Sequence, residues 1–210
     1  GVAARPPGPP AELSRLDGLL SRHGHTATNM LSPLGLHALV SLRDPRRAAG
    51  GRARLLTELM EWSGADRLVI AVGPVVPDLA QAAVSLRAAM ESLNPPVCTV
   101  TAGVLDAGEL GVERLLLDDA VRVAVERLVH EQLAPLMALR DAEREVLLRT
   151  LEAYCEAGFN KTRTAAVLHL GRQSLYPRLQ RAFDLLGGDP TGTPRALSLH
   201  LALRLHRYVS

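Results

Sequence analysis

Apolar residues recur at two different spacings along this chain, and the change from one to the other divides it. Over 11–22, Leu13, Leu16, Leu19 and Leu20 fall at helical spacing and predict an amphipathic helix. Polar, glycine-containing chain follows. The apolar and β-branched content of Gly35–Leu42 predicts a strand, 52–62 a helix, and 67–73 (RLVIAVG) a buried strand. Asp78 is placed to cap a helix reaching Leu93, Pro95-Pro96 stops it, and 97–100 predicts one more short strand before a loop through Gly103, Gly108 and Gly111. Strands alternating with helices make this half α/β or α+β.

Beyond Asp118-Asp119 the pattern is helical. The stretch 120–133 carries Val121, Val125, Leu128 and Val129 on one face and is expected to bridge the halves, ending near Pro135. A helix over 141–157 turns Leu147, Leu148, Leu151 and Cys155 inward, with Gly158 as its stop. The tail 196–209 alternates leucine with other residues, which alone would suggest a strand. Its Leu, Ala and Arg content predicts a helix instead, with Leu197, Leu201 and Leu205 on one face and Leu199 and Leu203 on a second, packing on its own unit and on a neighbour. The fold class is therefore α+β. Its expected parts are a linker or tail over 1–10, an α/β domain over 11–118, a connecting helix over 119–140 and a helical domain over 141–210.

Composition narrows this. Apolar residues make up 47% of the chain but aromatics only 3%, so the core rests on Leu, Val and Ala, which favours packed helices. Lys161 is the sole lysine among 24 basic residues, a bias expected of a GC-rich bacterial genome. A net charge of +2 is too small to mark the whole chain as a polyanion binder, so any such signal must be local. Cys98 and Cys155 lack CxxC spacing, which argues against a disulfide framework or zinc and fits a reducing cytoplasm. No apolar run reaches the roughly 18 residues that span a bilayer, so no membrane partner is expected. A first residue Gly1 followed by the proline-rich 5–10 leads us to expect the C-terminal part of a longer protein.

The local charge signal lies in NKTRTAAVLHLGRQSLYPRLQRAFDLL (160–186). A short helix over 161–168, capped by Asn160, is followed by a turn at His169-Leu170-Gly171 and a second helix from Arg172. Leu175, Leu179, Ala182, Phe183 and Leu186 form one buried stripe on that second helix. Gln173, Ser174, Pro177, Gln180 and Arg181 then point away, with Tyr176 and Arg178 on the flanks. Gln can pair with adenine and Arg with guanine through two hydrogen bonds each. Between Asn160 and Ala182 lie Lys161, Arg163, Arg172, Arg178 and Arg181 with no acidic residue, so the field there favours phosphate. The reading is a helix-turn-helix in which Lys161, Arg163, Thr164 and Arg172 meet the DNA backbone and Gln173, Ser174 and Arg181 read bases, with Tyr176 and Arg178 completing the DNA-binding set. Pro177 removes the bond to the Gln173 carbonyl and predicts a kink or a delayed helix start.

These residues carry a resemblance. From about Asp141 onward the chain resembles the C-terminal helix-turn-helix domain of the PucR/CdaR-type regulators of purine and sugar-diacid catabolism, in VLLRTLEAYCEAGFNKTRTAAVLHLGRQSLYPRLQRAFDLLG and the trailing ALSLHLALRL. The first half, with RLVIAVG, then VSLRAA and later ERLLLDD, resembles the degenerate GGDEF-like domain of the same family. The resemblance implies a transcription regulator. Its expected partners are double-stranded operator DNA, a second copy in a homodimer, and a small-molecule effector sensed through a missing N-terminal domain.

Enzymatic chemistry has no visible seat. Gly187-Gly188-Asp189 starts like a cyclase signature, but Pro190 follows and the position reads as a turn between helices. Paired metal-binding carboxylates are lacking, and GxSxG, Walker and GxGxxG loops do not occur. The seven histidines form no ligand set, so neither metal nor cofactor is expected. The competing reading is a non-catalytic signalling or protein-interaction module whose GGDEF-like half binds a nucleotide.

Overall fold

The computed structural model describes residues 1–5, 10–31, 35–42, 45–62 and 67–209, and they gather into two compact units, Gly1–Leu117 and Asp118–Ser210. The first holds β1 (Val2–Arg5), α1 (Pro10–His23), β2 (Gly24–Leu31), β3 (Gly35–Leu42), α2 (Ala48–Glu61), β4 (Val69–Val72), α3 (Ala82–Ser92) and β5 (Gly103–Asp106). The sheet runs β2-β3-β1-β4-β5. Every pairing is antiparallel except β4 with β5.

Alternation across the strands sorts the side chains to two faces. Val2, Ala4, Leu36, Ala38, Ile70 and Val72 meet the leucines of α1 and Leu55 and Leu59 of α2. On the other face Ala3, Val69 and Ala71 meet Ala89 of α3 and Leu93 just past its end. Each fully buried leucine, Leu16 or Leu59 for example, stabilises the unit by about 1.5–3 kcal/mol relative to exposure.

Three expectations are corrected here. The linker assigned to 1–10 is wrong for Val2–Arg5, which is a strand paired on both sides by β3 and β4; residues 6–9 lie outside the described residues. Its small side chains fit because both faces of this strand are covered. The polar chain before Gly35 contains β2, which pairs with β3 from Gly24↔Leu42 to Leu31↔Gly35. The strand expected over 97–100 does not form: the Cys98 N–H turns back to the Asn94 carbonyl at 3.0 Å, and Gly103–Asp106 takes the place beside β4. Asp78 does cap, accepting from the Gln81 N–H at 3.0 Å, but the turn it caps is 3-10 (Leu79–Gln81) and α3 follows it.

One polar junction ties α2 to the sheet. Arg52 donates through Nε to the Gly73 carbonyl at 2.8 Å and through Nη1 to Asp106 Oδ2 at 2.9 Å, and through Nη2 to the Val72 carbonyl and Asp106 Oδ1. The Arg52 hydrogen bond, opposed by burial and helped by the Gly108 and Glu109 N–H groups and the guanidinium charge, holds the Asp106 carboxyl below its ordinary value.

The second unit is all helix: α4 (Asp119–Met137), α5 (Asp141–Glu156), α6 (Lys161–Val167), α7 (Arg172–Leu186) and α8 (Arg195–Val209). The helix expected to connect the halves is α4, and it belongs to this unit, with Val129, Leu133 and Leu136 in the same core as the leucines of α5, α7 and α8. Asp118 caps it by accepting from the Ala120 and Val121 N–H groups. The helix runs on through Pro135 to Met137, because stopping at the proline would expose Leu136, which is fully buried. The expected stripe of α5 is buried, and burial, reinforced by Glu156 and Glu152, pushes the Cys155 thiol up to about 12. In α8, Leu199 and Leu203 are buried while Leu197 is exposed and Leu201 half-buried. No helix among the described residues is long and apolar enough to cross a membrane.

Candidate nucleic-acid interface

The turn between α6 and α7 is built by backbone hydrogen bonds. Asn160 caps α6, its side chain accepting from the Arg163 N–H at 3.0 Å. At the other end the Leu170 N–H reaches the Ala165 carbonyl at 2.9 Å and the His169 N–H the Ala166 carbonyl at 3.2 Å. These two bonds close a Schellman motif, with His169 in the left-handed region at φ 53° where glycine is usual. Gly171 then starts α7, whose Ser174 and Leu175 N–H groups both return to its carbonyl.

The predicted stripe of α7 is inside: Leu175, Leu179, Ala182, Phe183 and Leu186 are all buried. Phe183 joins Tyr154 of α5 at 5.9 Å between ring centres, and Tyr154 also meets Phe159 edge-on at 5.4 Å. The expected kink at Pro177 does not break the element, which is one helix from Arg172 to Leu186. The apolar stripe lies on the face away from the proline and supports the turns on either side of the missing bond.

The predicted contact residues divide. Arg163, Arg172, Gln173, Ser174, Tyr176 and Arg181 are exposed, and Lys161 and Arg178 half-buried. Thr164 is corrected: it is fully buried, and its hydroxyl donates to the Asn160 carbonyl at 2.8 Å, so it braces the first turn of α6 and is withheld from any ligand. Arg181 is not free either, since its Nε donates to Glu143 Oε1 of α5 at 3.2 Å. Gln180 donates to Asp184 Oδ1 at 2.9 Å, an i,i+4 pair legible in the sequence. Glu143 was invisible to a reading along the chain, because it lies outside the acid-free window and arrives by folding. The structure adds one further contact: the Lys161 ammonium stands 5.3 Å from the centre of the Tyr176 ring.

The first unit holds a cavity of about 410 Å³, walled largely by aliphatic side chains such as Leu39, Leu42, Leu55 and Val72. Its one guanidinium, that of Arg52, is already engaged by Asp106 and two carbonyls.

Comparison with known proteins agrees with both halves. The model of the GGDEF-like domain matches residues 2–94, and that of the PucR C-terminal helix-turn-helix domain matches residues 147–205. No curated protein matches the chain. Among solved structures, the regulator of polyketide synthase expression from Bifidobacterium adolescentis is 24% identical over 98% of this chain and 78% of that one, with a TM-score of 0.34, too low for shared architecture to be read from it. The two matched domains, in this order, together cover most of the chain, and by them it belongs to the PucR/CdaR-type regulators.

Proposed function

We propose that this regulator binds operator DNA sequence-specifically, as a homodimer in the cytoplasm, with α7 in the major groove. The observation that carries the reading is the division of α7: every large apolar side chain of its stripe is buried, while Arg172, Gln173, Ser174 and Tyr176 are exposed together at its start. Gln173 and Ser174 read base edges, and Lys161, Arg163, Arg172 and Arg178 meet phosphates. Arg181 reads a base only when it leaves Glu143. Dimerisation follows from information content: one short helix reads few base pairs, and two half-sites about 34 Å apart multiply the specificity.

The test is selection of bound duplexes from a random pool, followed by mobility shifts with the double variant Arg172→Ala, Gln173→Ala. We expect the wild-type chain to enrich a two-fold-related site and the variant to lose preference for it by about tenfold or more, with an unchanged circular-dichroism melt. An unenriched pool, or equal preference in the variant, would reject the assignment. Within the same proposal the GGDEF-like half is non-catalytic, and an effector acts through it or through an N-terminal domain. The competing nucleotide-binding reading is disfavoured by the cavity, whose aliphatic walls and occupied arginine offer a triphosphate little.

A further inference from the structure

Outside the core, α6 and α7 meet through one charged contact. Lys161 opens α6, Tyr176 lies in the second turn of α7, and the ammonium stands 5.3 Å from the ring centre. Tyr176 keeps 46% of its surface, while its neighbour Leu175 is fully buried, so the ring is displayed rather than packed. A cation is drawn to the negative face of an aromatic ring. A four-carbon side chain steadied at its tip has given up rotamer freedom before any ligand arrives, so less is lost on binding. Lysine is a compact point charge suited to a phosphate oxygen rather than to a base edge.

We infer that Tyr176 is a positioning residue: its ring holds the Lys161 ammonium where α6 meets α7, and the pair makes a single phosphate contact on duplex DNA. The inference rests on the DNA reading above and deepens it. Tyr176 itself carries no sequence information in this role. The contact is independent of sequence, so a fluorescent duplex of arbitrary sequence suffices as probe, titrated with the full chain by anisotropy over a range of salt concentrations. Lys161→Met is expected to lower the slope of log affinity against log salt by about 0.9, the signature of one lost phosphate. Tyr176→Phe keeps the ring and binds as the wild type does. Tyr176→Leu weakens binding by about two- to fivefold, and costs nothing further when Lys161 is already Met.

A tyrosine that merely braces the two helices would move the melting temperature and leave the salt slope and the double-variant cycle flat. The inference is overturned if Tyr176→Leu binds like the wild type, if its cost is the same in both backgrounds, or if Tyr176→Phe is as weak as Tyr176→Leu. Should the wild type bind no duplex in a salt-dependent way, the DNA reading falls as well. If the wild type binds and Arg172→Ala, Gln173→Ala still loses its preference, only the role of Tyr176 is lost.

Discussion

At the residue scale, two side chains beside the turn between α6 and α7 are engaged within the protein, Thr164 with the Asn160 carbonyl and Arg181 with Glu143. Thr164 looked like a backbone-contacting hydroxyl because threonine near basic residues often is. In the fold its hydroxyl donates to the Asn160 carbonyl instead. Arg181 looked free because no acid lies within twenty residues before it, and a partner 38 positions away has no local signature. That pair has a measurable consequence. Both side chains are substantially exposed, so the bond adds little to stability, but it competes with DNA for one guanidinium. Glu143→Gln should therefore raise non-specific duplex affinity a few-fold at low salt and steepen the salt slope by about 0.9; an unchanged slope would mean that Arg181 never reaches phosphate. His169 offers a second test. It is exposed and left-handed at φ 53°, a conformation that L residues adopt at a cost of about 1 kcal/mol and that glycine adopts freely. His169→Gly should raise the melting temperature of the helical unit by a few degrees, allowing for the larger entropy glycine loses on folding.

At the scale of elements, the helices were the readable part. The predicted 141–157, 161–168 and 172 onward differ from α5, α6 and α7 by a residue or so, since leucines every three or four positions fix the register of α5 and α7 and the Asn160 cap fixes the start of α6. Strands fared worse for a physical reason. β1 is only Val-Ala-Ala-Arg, with Val2, Ala3 and Ala4 all buried, so it shows no alternation, and β2 pairs at the end of the β2-β3-β1-β4-β5 order with polar residues on both faces, His25 and Asn29 on one and Thr26 and Thr28 on the other. The Arg52–Asp106 junction, which joins α2 to the last strand across 54 positions, was equally hidden. It governs acid behaviour. Asp106 titrates below its ordinary 3.8 in the folded chain because of Arg52, so its contribution is complete above 3.8 and disappears as pH falls through the lower folded value. Asp106→Asn should lower the stability of the first unit by about 1–2 kcal/mol at neutral pH, since the pair is partly open to solvent, and the gap to wild type should narrow below 3.8. A gap constant from pH 7 to pH 2.5 would show that the ion pair contributes nothing.

At the scale of the molecule, each of the two units has its own core, and the chain carries a reporter for one of them. Trp62, the single tryptophan, packs against the core of the first unit. Leu151, fully buried, belongs to the core of the second. Leu151→Ala should cost the helical unit about 2–5 kcal/mol, shifting the loss of helical circular dichroism while the denaturant midpoint seen by Trp62 fluorescence stays in place. A joint shift would mean that the units unfold as one. The position of β1 carries the last consequence. A biochemist trimming what reads as a proline-rich linker or tail would delete the middle of a sheet, not its margin, and leave β3 and β4 each with a bare row of amides and carbonyls. Such rows recruit other chains. The shortened product should therefore come out of the cell as inclusion bodies, and in the intact chain β1 has one neighbour once β3 is synthesised but gains its second only with β4.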